Sequence, residues 1–135
     1  MNDSPCTECI LLIAHGSRQA SANEDLVKLA DEIGSRRPQQ HIEWAYLELA
    51  EPTIPQGAER CVAAGAKRVM MLPYFLSAGA HVTQDLERFR EEFSKKYPQT
   101  EFILCAPLGL HPLVVDIVLE RLGEGMKSGR LGGTR

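Results

Sequence analysis

Residues 9–14 read CILLIA and lead directly into HGSR at residues 15–18. An apolar run of this kind is typical of a strand buried on both faces of a parallel sheet. Three further strand-like runs follow it: IEWAYLEL at 42–49, RVMMLPYF at 68–75 and EFILCA at 101–106. The run at 42–49 carries Glu43 and Glu48 among its apolar residues, and we expect it at an edge of the sheet.

Apolar residues at helical spacing separate these strands, in the segments 22–33, 58–62, 82–97 and 114–122. Ser21 and Glu24 match a capping box at the start of the first helix, and Gly34 is placed to end it. Thr53 and Gln56 repeat the capping-box pattern before the second helix. Alternating strands and helices predict an α/β, three-layer sandwich in which helices cover a mostly parallel four-stranded sheet.

The chain has 135 residues and a net charge of -3, which suit one globular domain and disfavour nucleic-acid binding. We expect that domain at residues 1–126 and a flexible tail at 127–135. No apolar run is long enough for a membrane span or a secretory signal, so the sequence predicts a cytoplasmic protein without membrane contact. Cys6 and Cys9 have zinc or redox spacing, but no second ligand pair follows them.

Three of the four histidines follow predicted strands. His15 comes after the first strand, His81 after the third and His111 after the fourth, whereas His41 precedes the second. Ligands of open parallel sheets bind beyond the carboxyl ends of the strands. We therefore expect the first three histidines at the edge of the sheet where a ligand would bind, and His41 at the opposite edge.

Together, His15, His81 and Glu48 would supply two imidazoles and one carboxylate to a ligand. This set suits a first-row divalent ion such as cobalt, nickel, zinc or iron. Three protein ligands leave coordination positions of the ion open, as a catalytic or transiently bound metal ion requires. Structural roles remain open for the same residues: His15 as a turn residue, and His81 as the N-terminal cap of a helix. For His111 the cap is the favoured interpretation.

Small and polar residues beside these histidines point to a bulky anionic ligand. Gly16 and Gly79 would let such a ligand approach the backbone closely. Ser17 and the start of the following helix would offer backbone N–H groups to an anion.

Four segments resemble the short sirohydrochlorin chelatases of the CbiX/SirB type: LLIAHGSR at 11–18, AYLELAEPTI at 45–54, VMMLPYFLSAGAHVTQDL at 69–86 and APLGLHPL at 106–113. The resemblance runs in order across about residues 9–122. It implies ATP-independent insertion of a divalent metal, cobalt or ferrous iron, into sirohydrochlorin for cobalamin or sirohaem biosynthesis. It also implies a homodimer with no permanently bound cofactor, the metal being a substrate.

The resemblance assigns roles to individual residues. It makes His15 and His81 the catalytic, metal-handling histidines and Glu48 their acidic partner. A substrate with many carboxylates also needs local positive charge and backbone donors. The residues expected to bind it are Ser17, Arg18, Ser77, Gly79 and Ala80.

Two other functions stay open at this point. Nickel insertion would use the same ligands, because the divalent affinity order does not choose among these metals. A carrier of metal or tetrapyrrole would bind its ligand without turnover. A nucleotide-binding protein of similar fold is disfavoured, since no G-x-G-x-x-G or P-loop follows any strand.

Overall fold

The computed structural model describes residues 7–131, so Cys6, and with it the Cys6–Cys9 motif, lies outside the described residues. Four strands alternate with four helices, as the sequence predicts. Their bounds are β1 Glu8–Ala14, α1 Ala20–Arg36, β2 His41–Tyr46, α2 Ile54–Ala63, β3 Arg68–Pro73, α3 Ala80–Lys96, β4 Glu101–Leu104 and α4 Pro112–Leu131.

All four strands form one parallel sheet with the order β2-β1-β3-β4. In its centre Leu12 of β1 lies opposite Trp44 of β2 and Leu72 of β3. The expectation that the second strand is an edge strand is confirmed. Because the strands are parallel, all four carboxyl ends lie at the same edge of the sheet.

The two faces of the sheet have separate hydrophobic cores. Leu11 and Ile13 of β1 and Met71 of β3 point to the face covered by α2 and α3, and none of them is exposed. Leu12 points to the other face and packs with Leu26 and Ala30 of α1. The alternation of side chains along β1 thus builds both cores, which explains why this strand contains no charged residue between Cys9 and Ala14.

Strand β2 ends three residues earlier than the sequence pattern indicates. The backbone turns after Tyr46, whose N–H donates to the carbonyl of Pro52 at 2.8 Å. Leu49 has a φ of 69°, a left-handed conformation that cannot continue a strand. The apolar character of 47–49 therefore belongs to a turn, and Glu48 lies in that turn instead of the strand.

Of the two predicted capping boxes, one is wrong and one is confirmed. Helix α1 begins at Ala20 with Gln19 as its N-cap, so Ser21 and Glu24 lie inside the helix. Its end is also later than predicted, because the helix continues through Gly34 to Arg36. The box of Thr53 and Gln56 forms in full at the start of α2.

Helix α4 differs most from expectation. It begins at Pro112 as predicted but continues to Leu131, into the segment expected to be a tail. The apolar stripe that should pack on the sheet is exposed along the helix, including Leu113, Ile117 and Leu122. Between residues 7 and 131, no helix is long and apolar enough to cross a membrane.

Candidate functional site

The carboxyl edge of the sheet collects the residues that the sequence singled out. His15 follows β1, Glu48 follows β2, His81 lies in the first turn of α3, and His111 immediately precedes α4. His41 opens β2 at the opposite edge, where its Nε2 lies 2.6 Å from a carboxylate oxygen of Glu43. The predicted separation of the histidines is therefore confirmed.

Backbone hydrogen bonds hold His15 beside Glu48. The N–H of Leu47 donates to the carbonyl of Ala14 at 2.9 Å, and that of Glu48 donates to the carbonyl of His15 at 3.0 Å. These bonds continue the β1–β2 ladder past the end of β2. As a result, the turn that carries Glu48 is attached directly to the loop that carries His15.

Gly16 sits at the closest point of this attachment. Its φ is 96°, and a Cβ atom built on it would lie 1.8 Å from the carbonyl oxygen of Glu48. The close approach that requires glycine here is made by the chain's own backbone. Backbone packing alone therefore accounts for glycine at position 16, and ligand approach at Gly16 stays a prediction.

Asn23 fixes the next residue, Ser17. The N–H of Ser17 donates to Oδ1 of Asn23 at 2.9 Å, and Nδ2 of Asn23 donates to the carbonyl of Ser17 at 2.8 Å. Tyr46, whose pKa is raised by burial, donates its hydroxyl to the carbonyl of Asn23 at 2.7 Å. Because the N–H of Ser17 is already bonded, the expectation that it serves an anion is not met.

Phe75 is a site residue that sequence reasoning missed. The His15 imidazole stacks on its ring with centroids 4.2 Å apart, and Phe75 itself is only 4% exposed. The segment that carries Phe75 is held against β1, since the N–H of Tyr74 donates to the carbonyl of Ile13 at 2.6 Å. The signal in the sequence is an aromatic residue at the end of a buried apolar run, which the pattern at 68–75 places within the strand.

His81 lies on the exposed first turn of α3. The N-cap of this helix is Gly79, so His81 is not its cap. A Cβ atom on Gly79 would meet nothing within 4 Å, and Ser77, Ala80 and His81 are all exposed. This helix start offers open space and, like every helix start, unsatisfied backbone N–H groups and a positive dipole end.

The remaining candidate residues at this edge are His111, Arg18 and Glu48. Nδ1 of His111 accepts a hydrogen bond from the N–H of Leu113 at 3.1 Å, which confirms the cap interpretation. Arg18 is exposed and takes part in none of the ion pairs among the described residues. Glu48 is exposed as well, in the turn that follows β2.

The structure does not assemble a complete set of metal ligands. Within the described part of the chain, no three His, Cys, Asp or Glu side chains form a group that could hold a metal ion. His15, Glu48 and His81 share one edge of the sheet but do not form such a group. Metal binding by these three residues therefore stays a prediction.

Comparison with known proteins extends this description. The family profile of CbiX matches residues 9–125. The chain is 35% identical to the chloroplastic sirohydrochlorin ferrochelatase of Arabidopsis thaliana over 113 residues, covering 84% of this chain and 50% of that protein. It is 31% identical to the sirohydrochlorin cobaltochelatase of Methanocaldococcus jannaschii, in an alignment that covers 84% of this chain and 96% of that protein.

A solved structure shows the same fold. The sirohydrochlorin chelatase SirB from Bacillus subtilis subspecies spizizenii, in complex with cobalt, superposes with a TM-score of 0.80 at 29% identity. The match covers 87% of this chain and 50% of that protein. The chain thus spans about half the length of several curated relatives, with shares between 38% and 50%, and nearly the whole length of the archaeal one.

Proposed function

The chain belongs to the CbiX family, and on this premise we propose that it inserts cobalt or ferrous iron into sirohydrochlorin without ATP. The product would serve cobalamin or sirohaem biosynthesis. The observation that carries the proposal is the position of His15: an exposed imidazole at the ligand-binding edge, supported from behind by Phe75. Its neighbours Glu48 and His81 lie at the same edge.

The reaction requires groups that hold a metal ion weakly and accept protons. Insertion removes water from the ion and two N–H protons from the pyrroles of the substrate. Imidazoles are suited to both tasks near neutral pH, because a neutral ring nitrogen binds divalent ions and also accepts a proton. In this proposal His15 and His81 present the ion and take up the protons, and the Glu48 carboxylate helps to hold the ion or to orient an imidazole.

Several features of the same edge suit a large, anionic, flat substrate. Arg18 and the N-terminus of α3, with Gly79 and Ala80, would bind substrate carboxylates. The Ser77 hydroxyl and Ser17 Oγ would add polar contacts, although Ser17 Oγ already accepts from the N–H of Gln19 at 3.0 Å. Leu49 and Leu76 are more than half exposed near these residues and would contact the apolar face of the macrocycle.

We place the reaction in the cytoplasm, and we propose that the chain acts as a homodimer, as its resemblance to the short chelatases implies. Nickel insertion is the alternative reaction, and a carrier of metal or tetrapyrrole is the alternative function.

The decisive experiment is anaerobic metal insertion followed by the absorption spectrum of sirohydrochlorin. Cobalt, ferrous iron and nickel are supplied in parallel to the wild-type protein, His15→Ala and His81→Ala. His41→Gln is the matched control, because it removes a histidine from the opposite edge of the sheet. We expect many turnovers in the wild type and the control. Both test variants should lose about 10²–10⁴-fold in rate, the range that proton-transferring side chains supply.

The relative rates of the three metals identify the preferred one. Stoichiometric binding of sirohydrochlorin without acceleration over the spontaneous reaction would overturn the enzyme and support the carrier. Full activity in His15→Ala would remove that histidine from the mechanism.

A further inference from the structure

Two cysteines that metal insertion does not use lie against each other in the core. Sγ of Cys9 in β1 is 2.6 Å from Sγ of Cys61 in α2, and neither residue is exposed. By spacing alone, Cys9 is one half of the Cys6–Cys9 motif. The fold instead brings to it a cysteine that lies 52 positions further along the chain.

The packing of α2 on β1 explains why these two side chains meet. Because α2 connects two parallel strands, it runs in the direction opposite to β1. It lies close to that strand, since a Cβ atom on Gly57 would be 2.8 Å from Cδ1 of Leu11. Cys61 is about 6 Å beyond Gly57 along the helix, and Cys9 is about 6.6 Å before Leu11 on the same face of the strand. The two steps match in length, so the close contact at Gly57 also places Cys61 on Cys9.

The separation of the two sulfurs is short for a pair of thiols. Non-bonded carbon atoms pack at about 3.5–4.0 Å, and sulfur is larger than carbon. A disulfide bond is about 2.05 Å long. The sulfurs therefore have to approach by only about 0.5 Å to reach bonding distance, a shift that the two side chains can make while α2 stays on the sheet.

Burial protects this pair while the fold is closed, and the end of α2 gives access to it. The pair belongs to the apolar core beneath α2, where a thiol reacts slowly because the reactive thiolate is disfavoured. Cys61 lies in the last turn of the helix, which ends at Ala63, and residues 63–65 are exposed. Helix ends open locally more often than central strands do. A small oxidant can thus reach Cys61 when this turn opens.

We propose that Cys9 and Cys61 are a modification site, at which oxidation by a peroxide forms a disulfide that fastens α2 to β1. The cross-link closes the segment 9–61, which contains His15 and the turn of Glu48. It lies near the amino end of β1, whereas His15 follows the carboxyl end. The disulfide therefore stabilises the fold without touching the groups assigned to metal insertion, and it does not depend on that activity.

The peroxide accepts the two electrons that the thiols lose. In the opened state the ionised Cys61 sulfur attacks one peroxide oxygen, the O–O bond breaks, and the departing oxygen takes up a proton and leaves as water. The Cys9 sulfur then attacks the sulfenic acid on Cys61, so that the S–S bond forms and the S–O bond breaks. The released oxygen takes the Cys9 proton and leaves as a second water. Two thiols and one peroxide thus give one disulfide and two waters.

The first test identifies the linked cysteines by mass spectrometry of the full-length chain. The reduced protein is treated with hydrogen peroxide, unfolded in the presence of N-ethylmaleimide and digested with trypsin. Trypsin leaves Cys9 in the peptide 1–18 and Cys61 in the peptide 61–67. We expect a product that contains both peptides minus two hydrogens, and dithiothreitol should separate them. Because Cys6 shares a peptide with Cys9, Cys6→Ser is needed and should give the same product, whereas Cys61→Ala should give none.

The second test compares the thermal unfolding of the oxidised and the reduced protein. A disulfide restricts the unfolded chain, so the oxidised wild type should melt about 5–15 °C higher, and dithiothreitol should remove the difference. Cys61→Ala should show no such shift. Cys105→Ala is the matched control and should keep the shift, because Cys105 is a partly buried cysteine outside the pair. The wild-type comparison needs no substitution and decides the question if Cys61→Ala does not fold.

The other outcomes overturn the proposal at different points. A link between Cys61 and Cys6 in the wild type would overturn the pairing. Separate, unlinked peptides after Cys105 has been oxidised would show that the two buried sulfurs do not react together. Linked peptides without a higher melting temperature would overturn the fastening of α2 to β1. A linked and stabilised protein that inserts no metal would support the disulfide and overturn only the proposed function.

Discussion

The imidazole of His15 and the ring of Phe75 are stacked, with their planes inclined by 24°. One residue follows β1 and the other follows β3, so the stacking joins the loops of two neighbouring strands. Phe75 is buried, whereas His15 is exposed. The histidine is therefore supported by a fixed aromatic surface while its ring remains open to a ligand.

Replacement of Phe75 by leucine should distinguish the support that its ring gives to His15 from its contribution to the stability of the fold. Leucine fills much of the same volume but removes the flat surface under His15, so we expect kcat for metal insertion to fall by about tenfold as the imidazole loses its orientation. The free energy of unfolding should fall by about 1–2 kcal/mol. Phe102→Leu in β4 makes the same change in the core away from the site and should lower stability alone. Equal kcat values for the two variants would show that the stacking has no functional role.

Gly16→Ala should be strongly destabilising. The new Cβ would overlap the carbonyl oxygen of Glu48, and the residue would have to hold a φ of 96°. We expect a loss of about 3 kcal/mol or more in urea unfolding. Gly34→Ala is the control, because its Cβ meets only Ile42 at 3.7 Å and lies inside helix α1. It should stabilise the protein by about 0.5–1 kcal/mol. Similar effects of the two changes would contradict the close approach at Gly16.

Asn23→Ala should loosen the loop that carries His15. It removes two hydrogen bonds to the backbone of Ser17 and leaves both groups of Ser17 without these partners. The expected loss is about 1–3 kcal/mol in the free energy of unfolding. Ser21→Ala tests the capping box that the sequence suggested and should change stability by less than about 0.5 kcal/mol. The reverse order of the two effects would restore Ser21 as the cap.

Stability should decrease in alkaline solution because of Cys61. The hydrogen bond with Cys9 and then burial raise the pKa of the Cys61 thiol well above its ordinary value. The folded protein thus keeps a proton that the unfolded chain releases above about pH 8.5. The contribution of this thiol is fully present below that pH and is lost as the pH rises, by about 1.4 kcal/mol per unit. Unfolding curves between pH 7 and 10 measure the slope, and Cys61→Ala should be less steep by this amount. An unchanged slope would show that Cys61 does not titrate as described.

The strands and the location of the site were predictable because strong local patterns determine both. Buried parallel strands need continuous apolar runs, and the parallel order places every strand end at one edge. From these two facts alone, His15, His81 and His111 could be assigned to the same edge and His41 to the other.

The errors arose where contacts distant in sequence override the local pattern. Ser21 has the right spacing for a cap, but Asn23 bonds to Ser17 across a loop and moves the start of α1 to Ala20. From the sequence, Gly16 was expected to let a ligand approach the backbone. The contact between Gly16 and the carbonyl of Glu48 forms only in the folded chain, so the sequence pattern does not show it. The exposure of α4 could not be predicted either, since its apolar stripe predicts burial.

The bonds around residues 15–17 also have a consequence for motion. Phe75, Glu48 and Asn23 hold this segment from three sides, so its conformational entropy is already lost when the chain folds. Binding then requires little further ordering of the His15 loop. Relaxation measurements should find the backbone of 15–17 as rigid as β1 on the picosecond-to-nanosecond timescale.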